Sequence, residues 1–254
     1  MITFSQDDFY LVTGASSGLG RAISLKINEN GGSVIGIGRN KERLNETKNL
    51  AKNTDNFRIE IKELCDDMDN LPKWISGIVE KYGKIKGMVL SHGVQETLPL
   101  SAINIEKAKK LFDTNYFSLI GLIKGFCKKN NYTEIGNSIV CLSSFVTQIG
   151  LPATVNYSAS KGALNSAVKV LGVELARNGI RINSILSGHI ETELLSKEDN
   201  LKTDDFLEKL RQKYPLGLGK PEDIANLASF LLSDASRWIT GANIVIDGGG
   251  SLVF

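Results

Sequence analysis

The chain is poor in the residues that build metal centres and disulfide frameworks: three cysteines and two histidines among 254 residues. Cys65, Cys127 and Cys141 are odd in number, widely spaced and without a Cys-x-x-Cys pair. Neither a disulfide scaffold nor a zinc cluster is expected, and a reducing cytoplasm fits best. No apolar run approaches the roughly 20 residues that span a bilayer. The opening residues Met1 to Asp8 carry Asp7 and Asp8 where a secretory signal has basic residues, so no export signal is read here. A strong charge of one sign is missing too. The 30 Lys and Arg against 28 Asp and Glu leave a formal +2, interspersed along the chain, which argues against nucleic-acid and membrane-surface partners. No repeat, low-complexity tract or Pro/Gly/Ser-rich linker divides the sequence, so residues 1–254 are expected to form a single domain.

What is present is alternation. Short runs rich in Val, Ile and Leu, at Phe9–Thr13, Ser33–Ile37, Phe57–Ile61, Gly87–Ser91, Ser138–Leu142, Arg181–Leu186 and Asn243–Ile246, read as strands covered on both faces. Between them, stretches such as Leu19–Asn30 and Asn40–Lys52 have helical spacing. This order predicts an α/β fold, a doubly wound parallel sheet with helices on both faces. Residues 191–214, rich in Glu, Lys and Asp after a strand end, read either as a segment covering the site or as a solvated connection.

Thr13-Gly14-Ala15-Ser16-Ser17-Gly18-Leu19-Gly20 follows the first strand and opens the first helix. Glycines there let backbone N–H groups approach a pyrophosphate, and the helix dipole favours its charge. The second strand ends in Gly36-Ile37-Gly38-Arg39 with no carboxylate to accept the ribose hydroxyls of NAD(H). Arg39 can instead pair with the extra phosphate of NADP(H), the expected cofactor, although an exposed residue at a helix start is the alternative reading.

Tyr157 and Lys161 are four apart in Asn156-Tyr157-Ser158-Ala159-Ser160-Lys161, which puts both on one face of a helix. A free tyrosine, with a pKa of about 10, is a poor acid–base group at neutral pH, and a neighbouring ammonium lowers that value. Tyr157 can then exchange a proton with a substrate oxygen. Ser144, after Cys141-Leu142-Ser143 at a strand end, is suited to hydrogen-bond that oxygen as charge develops.

With these motifs together, the sequence resembles the short-chain dehydrogenase/reductase family, in its compact branch, over essentially the whole chain. Asn115 in Phe112-Asp113-Thr114-Asn115, the run Pro215–Ile224 and the ending Ile239–Gly249 carry the likeness further. The resemblance implies a seven-stranded Rossmann-like sheet and hydride transfer between a nicotinamide cofactor and a ketone or secondary alcohol, a small-molecule substrate that could be thioester-linked. Tyr157 would act as acid, Lys161 would bind the nicotinamide ribose, Ser144 would orient substrate, and Asn115 would hold a water in a proton relay. Asp66 would meet the adenine amino group, Gly93 would line the cofactor, and Ile190 and Thr192 would contact its nicotinamide end. A homotetramer or homodimer is also implied. The C-terminal half is most similar to bacterial 3-oxoacyl-[acyl-carrier-protein] reductases and to sugar and small-ketone dehydrogenases. A basic patch for a carrier protein would draw on Lys124, Lys128 and Lys129, which read equally as a solvated helix end.

Two departures from the family pattern stand out: Leu90-Ser91-His92-Gly93 for Asn-Asn-Ala-Gly, and Ser187-Gly188 for Pro-Gly. The first puts in doubt the asparagine bonds that tie neighbouring strands; His92 reads as a structural donor in preference to a catalytic base. The second frees a loop that proline would stiffen. Rival functions are a non-catalytic dinucleotide-binding sensor or scaffold, which the full Tyr157/Lys161/Ser144/Asn115 set argues against, and a nucleotide-sugar epimerase or dehydratase, whose relatives are usually longer.

Overall fold

A computed structural model of the chain describes residues 2–192, 208 and 210–253. Seven strands, β1 (Phe9–Thr13), β2 (Ser33–Gly38), β3 (Phe57–Ile61), β4 (Ile85–Leu90), β5 (Asn137–Ser144), β6 (Ile180–Ser187) and β7 (Asn243–Ile246), form one sheet in the order β3-β2-β1-β4-β5-β6-β7. Every pairing is parallel. The expected strands are all found, with ends that move by no more than two residues.

The helices lie on both faces. They are α1 (Gly18–Glu29), α2 (Lys41–Asn49), α3 (Leu71–Tyr82), α4 (Ile105–Phe112), α5 (Ser118–Phe126), α6 (Val155–Ala176) and α7 (Pro221–Leu232). Local signals start several of them. The Asn40 and Asn104 side chains accept from Arg43 N at 2.8 Å and Lys107 N at 3.0 Å, capping α2 and α4. Pro221 opens α7, where Asp223 accepts from Lys220 N at 2.7 Å. One apolar layer joins β-residues such as Leu11, Met88 and Ile139 to Ile75, Leu122 and Leu164 of α3, α5 and α6. The other joins Val12, Val89 and Val140 to Ile23, Ile27 and Ile224 of α1 and α7.

One expectation needs correction. The strands were expected to be buried on both faces, but β3 is fully buried only at Phe57 and leaves Ile61 51% exposed. At the other edge β7 has no fully buried residue, and each of these two outermost strands has a neighbour on one side alone. The apolar stretch over Leu111–Phe126 is not one regular helix. Between α4 and α5 the chain makes a π turn at Asp113–Phe117. The extra residue in that turn rotates Asn115 inward, to full burial.

β1 and β4 are adjacent at the centre, and the chain proceeds outward from them in opposite directions. Ligands in such sheets bind beyond the C-terminal strand ends at this switch point. The glycine loop leaves β1 there and Ser91–Gly93 leaves β4 beside it.

Candidate active site

The turn after β1 is held from behind. Ala15 N donates to Ile37 O at 3.1 Å, while the carbonyls of Ala15 and Ser16 accept from Thr47 Oγ1 at 2.9 Å and Arg21 Nη2 at 2.8 Å. Gly14 (φ +67°) and Gly18 (φ +50°) adopt left-handed backbone that other residues resist. At Gly20 an added Cβ would lie 2.2 Å from Gly14 O, so helix and strand end touch. At Gly18 it would meet only Thr192, at 3.9 Å, across an open gap. No side chain caps α1, because Ser17 makes no such bond. The first-turn N–H groups of α1 are therefore left for a ligand, and the loop with Leu19 and Thr192 around it fits a dinucleotide pyrophosphate.

Arg39 lies just past β2 and is largely exposed, with Nη1 3.2 Å from Glu63 Oε2. Asp66 is exposed in the bend after β3. Ile190 is buried and pairs with Gly219 in an isolated bridge beyond β6. Residues 193–207 and 209 lie outside the described residues, and with them most of the 191–214 segment.

Tyr157 and Lys161 share the first turns of α6. Lys161 is buried, donates to Leu142 O at 2.9 Å, and has its pKa lowered to about 8, chiefly by desolvation. Gly93 connects the parts: a Cβ there would lie 3.1 Å from Asn115 Oδ1 and 3.3 Å from Lys161 Nζ. The Asn115 amide is already engaged. Oδ1 accepts from Val94 N at 2.9 Å, and Nδ2 donates to Val94 O at 2.9 Å and to Ser160 Oγ at 3.1 Å. Asn115 thus clamps the β4 loop to α6, a role the sequence reading did not include.

Ser144 ends β5, almost buried, with Oγ accepting from Val146 N at 3.4 Å. Next to it the Ser143 hydroxyl is buried without a partner. The half-buried Tyr157 packs on Phe145, Val146, Leu210 and Tyr214, an apolar wall beside the phenol. His189 Nδ1 and Tyr214 OH are 2.5 Å apart behind it. Leu210, Tyr214 and His189 had no signal in sequence spacing, since the packing of Tyr157 with Leu210 and Tyr214, and the pairing of His189 with Tyr214, form only in the folded chain.

His92 is partly buried between two hydroxyls, with Nδ1 2.7 Å from Thr13 Oγ1 and Nε2 2.8 Å from Ser118 Oγ. Thr13 Oγ1 also accepts from Ser91 N at 3.0 Å. Desolvation, with Lys161 and Arg39 adding to it, lowers the imidazole pKa to about 3. A neutral ring tying β1 to α5 is a structural group, as the sequence reading held.

The sheet order, with the glycine loop at its switch point, defines a Rossmann-like doubly wound α/β fold. The chain belongs to the short-chain dehydrogenase/reductase family: a family profile described as enoyl-(acyl carrier protein) reductase matches residues 14–251. It is similar to the 3-oxoacyl-[acyl-carrier-protein] reductase FabG of Rickettsia felis, 34% identical over 244 residues and covering 96% of each chain. Among solved structures, a short-chain alcohol dehydrogenase of Sinorhizobium meliloti superposes with TM-score 0.89 at 28% identity over 99% of both chains. An actinorhodin polyketide ketoreductase variant solved with NADPH gives 0.86 at 25% identity, again over 99% of both.

Proposed function

We propose that the protein is an NADP(H)-dependent ketoreductase acting on a 3-oxoacyl thioester or a similar apolar ketone. The observation that carries this reading is Tyr157, one helical turn before the buried Lys161 on α6 and packed against the apolar cluster of Phe145, Val146, Leu210 and Tyr214, with Ser144 at the end of β5 just before Phe145. An apolar wall suits an acyl chain better than a polyhydroxylated sugar. When bound, the cofactor supplies the hydride. Ser144 hydrogen-bonds the substrate carbonyl oxygen and Tyr157 delivers the proton to it. Lys161, with a pKa of about 8, is still mainly an ammonium at pH 7. It stabilises the phenolate left on Tyr157 and binds the nicotinamide ribose.

Asn115 holds Gly93 and Val94 against Lys161 and so fixes the ammonium's surroundings. The pyrophosphate rests on Gly14, Ser16, Ser17, Gly18, Leu19 and Gly20, with Asp66 at the adenine, Arg39 at the 2′-phosphate, and Ile190 and Thr192 at the nicotinamide end. Exposed apolar residues, Phe117, Val170 and Val173 on the α4–α6 face and Val245 and Leu252 near β7, support a tetramer. The three unpaired thiols and a chain in which no helix among the described residues is long and apolar enough to cross a membrane fit work in the cytoplasm.

The test follows NADPH consumption against acetoacetyl thioesters, keto-sugars and simple ketones, with Tyr157→Phe as control. Turnover of the thioester that falls by about 10²–10⁴ in the variant, with cofactor binding retained, is the expected result. Unchanged turnover in Tyr157→Phe removes the tyrosine mechanism. Cofactor binding without turnover of any substrate restores the sensor or scaffold reading.

A further inference from the structure

Arg39 does not stand alone at the adenosine end of the site. Gly38 ends β2 opposite Ile61, the end of β3, and Lys62 N donates to Gly38 O at 3.0 Å, so the two chains leave the sheet side by side. One residue further on, Arg39 Nη1 meets Glu63 Oε2 at 3.2 Å. The other carboxylate oxygen of Glu63 accepts from Cys65 N at 3.3 Å. The Glu63 side chain is 35% exposed against 76% for Arg39, so the carboxylate is the better fixed of the two. Around the neighbouring Cys65 thiol, the negative charges of Glu63 and Asp113 oppose the positive charge of Arg39. Arg39 therefore already faces a carboxylate in the unliganded protein.

We propose that Glu63 sets the balance between NADP(H) and NAD(H), by holding a carboxylate at the tip of Arg39 that opposes a 2′-phosphate and accepts a hydrogen bond from a 2′-hydroxyl. The proposal rests on the reading that Arg39 meets the 2′ position. A phosphate there carries close to two negative charges and must share or displace Glu63 to reach the guanidinium fork. A hydroxyl meets no repulsion and donates to the carboxylate. The protein then takes both cofactors, with a narrower preference for NADPH than the arginine alone would give.

Titration of the full-length protein with NADPH and with NADH, read by nicotinamide fluorescence, tests this in the unmodified chain, Glu63→Gln and Arg39→Ala. Glutamine keeps the side-chain length and the acceptor for Cys65 N but removes the charge. The expected result is that Glu63→Gln binds NADPH roughly tenfold tighter and NADH more weakly, while Arg39→Ala weakens NADPH. If Glu63→Gln leaves the NADPH-to-NADH affinity ratio within about twofold while Arg39→Ala lowers it, Glu63 is a bystander and the proposal is overturned, with the Arg39 reading intact. If neither variant moves the ratio, the Arg39 reading has failed and the proposal fails with it. A shift in Glu63→Gln alone also overturns the proposal, because the carboxylate would then act without Arg39 at the 2′ position.

Discussion

The imidazole of His92 bridges Thr13 at the end of β1 and Ser118 at the start of α5, its Nε2 2.8 Å from the serine hydroxyl. Ser118 Oγ in turn donates to Thr114 O at 2.8 Å, next to Asn115. One side chain therefore links the strand that feeds the glycine loop to the turn that carries a proposed catalytic residue. Where the family pattern uses asparagines after β4, this chain ties the same elements with a histidine.

That tie has a pH signature. Desolvation first, then Lys161 and Arg39, hold the folded pKa at about 3 against an ordinary 6.5. The unfolded chain binds the extra proton between these values, so stability falls as pH drops from about 6.5 toward 3. His92→Gln is expected to be about 1–3 kcal/mol less stable above pH 7, where hydroxyl partners are lost, and to lose less on acidification. Urea unfolding at pH 7 and pH 4.5 measures both. Parallel acid losses in the two proteins would show that His92 does not stay neutral.

Lys161 follows the same rule in a higher pH window. Burial lowers its pKa from 10.5 to about 8. Below pH 8 both states are protonated and the cost of the buried charge is fully present; between 8 and 10.5 the unfolded chain holds more protons, so stability rises with pH. Lys161→Met should abolish turnover yet stabilise the cofactor-free protein at pH 7, by on the order of 2 kcal/mol. The gain should shrink toward pH 10. Thermal unfolding at the two pH values checks it, and a gap that does not narrow refutes the assignment.

The glycines of the nucleotide loop should separate by cause. Gly20→Ala would place a Cβ 2.2 Å from Gly14 O, so the loop and α1 must move apart. A loss of about 2–4 kcal/mol and of cofactor binding is expected. Gly18→Ala makes only ordinary contact with Thr192, at 3.9 Å, and pays for its φ of +50°, about 1–2 kcal/mol. Paired denaturation and cofactor titration would rank them; equal effects would contradict the close packing at Gly20.

Ala153, just before α6, has φ +64°, a strained value for a residue with a Cβ. Leu98 N donates to its carbonyl at 2.7 Å, which fixes the turn. Ala153→Gly should raise stability by about 0.5–1 kcal/mol, the relieved strain exceeding the added freedom of the unfolded chain. A lower midpoint in urea would show that the turn relaxes in solution.

Much of this molecule was legible in its residues. The seven strands, the glycine turn and the Tyr157/Lys161 spacing depend on local periodicity and on neighbours along the chain, and these need no tertiary knowledge. The edge character of β3 was only partly legible: Phe57-Arg58-Ile59-Glu60-Ile61 alternates apolar and charged residues as a half-exposed strand does, but only the sheet order decides which strand lies outermost. The π turn escaped for a related reason. Nothing in Asp113–Phe117 marks an extra residue in the helix; burial of Asn115 against Val94 and Ser160 makes it favourable.

The sequence by itself determined the class of fold and the chemistry of the proposed proton-transfer group, since hydrophobic period and side-chain spacing are short-range properties. Only the tertiary structure decided what surrounds that group. Glu63 beside Arg39, Tyr214 beside His189, and His92 between Thr13 and Ser118 are pairs brought together from distant parts of the chain. Their electrostatic and hydrogen-bonding effects exist at distances of about 3 Å and nowhere in the linear order.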